Sequence, residues 1–254
     1  MLEAVANVFQ FEFRRSLTPP RIAMWCALVA FPSVLLILVR LTPGPKPDEL
    51  FVSALFILIP EVTCMLALLL WMTPAIQSEL ESSAWPYLAI RPRGRRAVLI
   101  GKYLNAVLWT FATMTVSLSC AIVIADPLHL TKTFIVLFMI CSISALAYGT
   151  LYALIAVAIP QRAMIMALAY SVVVEGIIGF IPAVINQLTF NFRLRAMFVQ
   201  WMGWDKIPRG ISSVTVTNQH SIVHFLLILV MMAVIAKVTL VILDRRQFVA
   251  SDEG

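Results

Sequence analysis

Two carboxylates stand where an oily chain should hold none. Glu61 lies about midway along the apolar run Leu50–Pro74, in "LIPEVTC", and Glu175 about two-thirds along the run Ala163–Ile185, in "SVVVEGIIGF". A charged carboxylate in hydrocarbon costs roughly 2.5–3.5 kcal/mol even on insertion scales, so such groups face a bundle interior or a cavity. Counted at about 1.5 Å per residue from opposite faces, the two reach nearly the same depth. Three roles fit them: structural hydrogen bonding across helices, contact with a cargo in an interior path, or intramembrane catalysis. His220 and His224 stand four apart in "QHSIVH", a spacing that can put two imidazoles on one helix face as metal ligands. No Glu follows His220 and no third ligand is evident, so an interfacial pair without metal is expected.

The remaining motifs exclude more than they assign. A phosphate-cradling loop needs Gly-x4-Gly-Lys-[Ser/Thr]; "GRRAVLIGKY" has the wrong spacing and places Tyr103 after Lys102. ATP hydrolysis by the chain itself is therefore not expected, and no Gly-x-Ser-x-Gly elbow appears. Cys26, Cys64, Cys120 and Cys141 fall inside apolar runs without C-x-x-C spacing, and read as buried thiols acting as small hydrophobes. The expectation is no catalytic residue, no metal and no cofactor bound by this chain.

The elements that must position these residues follow from composition. The 254 residues are 61% hydrophobic and 13% charged, against about 25% charged in a soluble domain; mean hydropathy is +0.93. Such a surface belongs in a bilayer. Crossing takes about 20 mostly apolar residues. Six stretches qualify: Ile22–Leu41, Leu50–Pro74, Val98–Ile124, Phe134–Ile159, Ala163–Ile185 and Ile222–Val241. Lipid leaves no backbone group unsatisfied, so the expected class is an all-α polytopic membrane protein, with one transmembrane domain over residues 1–254.

Residues 1–21 read as an amphipathic interfacial helix, with Val5, Val8, Phe9 and Phe13 at helical spacing, ended by Pro19-Pro20. Its charges leave no cleavable signal peptide. Arg14, Arg15, Arg21, the cluster from Arg91 to Lys102, Arg162, Arg245 and Arg246 put both termini on the cytoplasmic side of an inner membrane. Residues 186–221 form a long extracytoplasmic loop whose segment "FRLRAMFVQWMGW" reads as interfacial, anchored by Trp201 and Trp204. The net charge of +6 is membrane-facing rather than nucleic-acid-binding.

Residues 75–97 form a polar cytoplasmic loop, and "ELESSAWPYLAIRPRGRRAVLIGKYL" within and beyond it carries a second motif. Ser82 or Ser83 can cap a helix in which Pro86 is tolerated in the first turn. Pro92 ends it near Ile90. What remains is about seven residues with Trp85, Leu88 and Ala89 on one face, too short to be stable alone. The stretch resembles the corresponding loop of ABC-2 type transporter permeases: acids at Glu79 and Glu81, an apolar core at Leu88, Arg91-Pro92, then Arg95 or Arg96 and Gly101-Lys102. Ser83-Ala84 stands where that family has Gly-Thr. The interfacial helix, about six spans, an acid followed by Gly in the fifth and a long outer loop after it also have counterparts.

That resemblance implies the transmembrane permease subunit of an ATP-binding cassette exporter, without an ATPase of its own. Its partners would be a separate ABC ATPase carrying ATP and Mg, a second permease, identical or homologous, and the lipid bilayer, with no nucleic acid. Glu79, Glu81, Trp85, Leu88, Ala89 and Arg91 would form the ATPase-docking site, while Glu61 and Glu175 remain the polar residues of the membrane interior. An ion-coupled carrier without an ATPase and an intramembrane enzyme using Glu61 and Glu175 are the alternatives.

Overall fold

The computed structural model describes residues 2–43, 47–81, 94–177, 186–187, 189–204 and 220–245, and among these no β-strand occurs. The chain starts with α1 (Leu2–Ser16) and turns directly into α2 (Pro19–Leu41), whose first two positions are the two prolines. They begin a helix there because a missing N–H costs nothing in a first turn. α3 runs Asp48–Glu81, α4 Gly94–Ala125 and α5 Leu130–Ala158. A 3-10 turn at Pro160–Arg162 returns the chain as α6 (Ala163–Tyr170), followed by a π-wound stretch, Ser171–Ile177. α7 (Phe190–Met202) and α8 (Ser221–Arg245) complete the order.

Among the described residues five helices, α2, α3, α4, α5 and α8, are long and apolar enough to cross a membrane, so the chain is an all-α polytopic membrane protein. The fifth expected span, Ala163–Ile185, is helical only from Ala163 to Ile177 among described residues; 178–185 lie outside them. The expected loop 75–97 is shorter than composition indicates, because Pro74–Glu81 stays helical and α4 already starts at Gly94.

Burial sorts the bundle into centre and rim. Of its most apolar stretch, α3 buries 72%, against 11% for α2 and 17% for α8. α4 is the spine. Its buried face repeats at Val98, Gly101, Lys102, Asn105, Thr110, Thr113, Ser117 and Ala121, and receives α1, α2 and α3. α1 comes very close at Gly101, where an added Cβ would stand 2.7 Å from Val8 Cγ1 and 3.2 Å from the Val5 carbonyl oxygen. Phe13, Trp25 and Trp71 gather round Trp109, the Trp71 and Trp109 rings stacking at 5.1 Å, which fastens α1, α2 and α3 onto α4. At the opposite end Arg40 Nη1 donates to the Ile124 carbonyl at 2.5 Å, and the Leu128 N–H donates to Asp48 Oδ1 at 3.2 Å.

α7 differs most from its expected setting. The segment read as interfacial forms a helix with every residue from Phe190 to Val199 buried, packed on α5 and α8. Thr189 caps its start by accepting from the Phe192 N–H at 3.2 Å, and Gly203 ends it with φ 69°. Lys132 Nζ donates to the Met202 carbonyl at 2.7 Å, a cation on the negative end of the helix. Phe198 stacks on Phe56 at 4.4 Å and meets Trp204 edge-on at 5.4 Å. Trp201 and Trp204 are half-buried against this core. The physical reason is the apolar surface all around the helix, which marks a buried helix rather than a one-sided interfacial one.

Candidate functional site

Glu61 sits in a π-wound stretch of α3, Ile57–Thr63. Pro60 explains the widening: it lacks an N–H, and its ring collides with the carbonyl four residues back in a regular helix. The opened turn finds substitute partners. Ser144 Oγ donates to the Pro60 carbonyl at 2.6 Å and Thr63 Oγ1 to the Leu58 carbonyl at 2.7 Å. Glu175 sits in the second π-wound stretch, Ser171–Ile177, at whose start Ser171 Oγ donates back to the Ala167 carbonyl at 2.8 Å. Each acid therefore occupies a locally rewound turn, a feature frequent at functional sites.

The structure brings both acids to α7. Arg195 Nε donates to Glu61 Oε1 at 2.7 Å and its second nitrogen, Nη2, to Oε2 at 2.9 Å, with the two residues only 3% and 6% exposed. One turn earlier, the Asn191 N–H donates to Glu175 Oε2 at 3.3 Å. Tyr148 donates to the same oxygen at 3.1 Å, and Tyr170 donates to Oε1 at 3.0 Å. Glu175 is 1% exposed. Around it Tyr148 meets Phe190 edge-on at 5.6 Å, and the Tyr152 hydroxyl bonds Ser171 Oγ. α3, α5, α6 and α7 thus meet at one buried polar cluster.

Arg195 is the member that sequence reasoning missed. Its signal was present: an arginine inside "NFRLRAMF" on a helix apolar all round needs a buried acid, and two acids lacked a partner. Arg193, about 200° away round the helix, lies on the side of α7 where Phe192 meets His224 at 6.3 Å. His224 is fully buried while His220 is exposed, so the histidine pair is not gathered at one point. Among the described residues no three His, Cys, Asp or Glu side chains converge as metal ligands.

A second cluster lies at the end of the bundle where α3 stops and α4 starts. Lys102 Nζ meets Glu79 Oε1 at 2.5 Å, Glu12 Oε1 at 3.4 Å and Ser78 Oγ at 2.9 Å. Asn105 Nδ2 donates to Ser16 Oγ at 3.2 Å, and Ser16 Oγ donates to the Glu12 carbonyl at 2.7 Å. Lys102 and Glu79 are 5% and 8% exposed. Lys102, counted from the sequence in the cluster of cations that sets the orientation, shares the buried face of α4 with Val98, Gly101 and Asn105. Glu79, expected on the docking surface, points inward to Lys102; Glu81 is exposed and accepts from Gln77 Nε2 at 2.7 Å. Trp85, Leu88, Ala89 and Arg91 lie outside the described residues. Of the cysteines, Cys64 and Cys141 are buried and Cys26 and Cys120 exposed, all four free. The outer pair was expected to be buried; its positions lie on outward faces of α2 and α4.

Compared with known proteins, the sequence matches no family model, and a search of curated proteins finds no match.

Proposed function

We propose that the chain is the membrane-spanning permease of an ATP-driven exporter of the ABC-2 type, worked by a separate ATPase docking between α3 and α4. One observation supports this above the others. Glu79, the last buried acid of α3, and Lys102, near the start of α4, are joined to each other and to Glu12 of α1. A partner that moves the connection at 82–93 would therefore move α1, α3 and α4 as one body. α3 in turn carries Glu61, and Glu61 holds Arg195 of α7. This gives a continuous mechanical path from the connection to the buried helix. ATP and Mg belong to the partner, and a second permease completes the pathway.

The test is co-purification with an ABC ATPase co-expressed as the candidate partner, at matched permease abundance. Burying one large side chain contributes roughly 1.5–3 kcal/mol, so Trp85→Ala with Leu88→Ala should weaken docking about 100-fold or more. The expected result is less ATPase recovered and less transport from a permease that remains folded. Full retention of the ATPase by that double variant would sink the docking role.

One observation favours the ion-coupled carrier as a second reading. Both interior acids sit in rewound turns, and broken helices near the midplane are where secondary transporters bind their ions. Proteoliposomes containing the chain alone separate the two: gradient-driven transport without any ATPase selects the carrier.

A further inference from the structure

We propose that Glu175 is a proton-binding site, occupied in the structure described, with Tyr170 as the group through which the proton enters and leaves. The first support is a charge count. Glu61, Glu175 and Arg195 are all at least nine-tenths buried. Arg195 gives two parallel N–H donors to Glu61, and among the described residues no cation ion-pairs with Glu175. With both acids ionised, the cluster carries one uncompensated negative charge on side chains closed off from solvent. One proton makes it neutral, and burial of an unpaired charge is far costlier than burial of a hydrogen-bonded neutral acid.

The bonding pattern says which acid and which oxygen. Glu61 uses both oxygens as acceptors from the guanidinium, the arrangement of a carboxylate. Glu175 is asymmetric. Its Oε2 accepts from two donors, Tyr148 and the Asn191 N–H, as a carbonyl oxygen with two lone pairs does. Its Oε1 has one partner, the Tyr170 hydroxyl, which can rotate to accept instead of donate. A proton on Oε1 therefore satisfies every oxygen without moving a heavy atom.

The surroundings agree. The titratable and charged groups facing Glu175 are Tyr148 and Tyr152 from α5, Glu61 from α3, Arg195 from α7 and Tyr170 from its own helix. Tyr148 and Tyr152 are fully buried, whereas Tyr170 is half-buried. A proton needs no cavity, which suits a site this closely filled. On release the Oε1–H bond breaks, the electron pair stays on Glu175, and the proton passes by way of the Tyr170 oxygen to water. The ionised Glu175 then competes with Glu61 for Arg195, so protonation state and the seating of α7 are linked. The inference holds for an ATP-driven permease and for a carrier alike.

Infrared spectroscopy of the chain in lipid nanodiscs at pH 7, in H2O and D2O, tests it. The wild-type chain should show the C=O stretch of a protonated carboxyl group, shifting in D2O, and Glu175→Gln should lose it. Glu61→Gln should also lose it, because Arg195 is then left to compensate an ionised Glu175. The Glu61→Gln, Arg195→Gln double variant should keep it. If Glu175→Gln fails to fold, Tyr170→Phe serves: removing the acceptor of the proton should move the band to higher frequency. No protonated-carboxyl band in the folded wild type, a band that survives Glu175→Gln, or a band unmoved by Tyr170→Phe would each overturn the assignment.

Discussion

Arg195 carries two long donors into a part of the bundle that offers them no water, and Glu61 is the residue that makes this tolerable. Removing one partner of such a pair leaves the other charge buried and alone, which costs about 3–5 kcal/mol. Arg195→Gln should lower the thermal stability of the detergent-solubilised chain by an amount of that order, and Glu61→Gln by less, because Glu175 can then ionise and compensate Arg195. The double variant keeps shape and hydrogen-bonding groups while removing both charges, so it should recover much of the loss. A double variant no more stable than either single one would show that the pair contributes no coupling. Lys102 follows the same logic at the other cluster, with two acids instead of one: Lys102→Met removes the cation that Glu12 and Glu79 share. The expected result is partial release of α1, read as faster proteolytic cleavage between α1 and α2.

At the scale of elements, the close approach of α1 to α4 depends on a missing side chain. A methyl group at position 101 would stand 2.7 Å from Val8 Cγ1 and 2.9 Å from Val8 Cβ, and the Val5 carbonyl blocks the alternative. The colliding atoms belong to a short, stiff side chain and to backbone, so the helices must separate. Overpacking of this kind costs typically 1–3 kcal/mol. Gly101→Ala should therefore loosen α1 while leaving α3, α5 and α7 in place, seen as faster amide exchange confined to α1 and the facing turns of α4. Exchange unchanged in α1 would mean that the interface yields without separating. α7 is held quite differently, by Thr189 at one end, Lys132 at the other and Glu61 between them.

For the whole molecule, the placement of Lys and Arg beside the span ends leads to the expectation that both termini are cytoplasmic. Tags fused at Met1 and Gly254 should both resist external protease in intact cells and be cut after permeabilisation. One tag cut without permeabilisation would reverse the orientation or change the number of crossings. On that expectation the charged cluster of Glu12, Glu79 and Lys102 would face the side on which the proposed ATPase docks. Glu61 stands further along α3 than Glu79, so the proposed coupling between the two regions would run along α3 through its π-wound turn. That turn already contains Pro60 and an opened hydrogen-bond ladder, the arrangement in which a helix bends at least cost.

Much of this was legible in the residues alone. Apolar runs of about 20 residues with little charge admit only membrane-spanning helices, because lipid satisfies no backbone group. The same scarcity of charge made Glu61 and Glu175 conspicuous, since hydrophobicity acts locally and reads off a linear chain. Periodicity also contained the position of Lys102, which recurs with Val98, Gly101 and Asn105 on one face of α4. Partnership did not follow in the same way. Arg195 is separated from Glu61 by more than half of the chain, and its pairing depends on α7 entering the bundle instead of lying along its surface. Only packing decides that, because an apolar helix with two arginines is unfavourable at either location until an acid is found for a buried charge. Spans follow from a property that each segment possesses by itself; ion pairs follow from which segments become neighbours, and that is settled only when the helices close around one another.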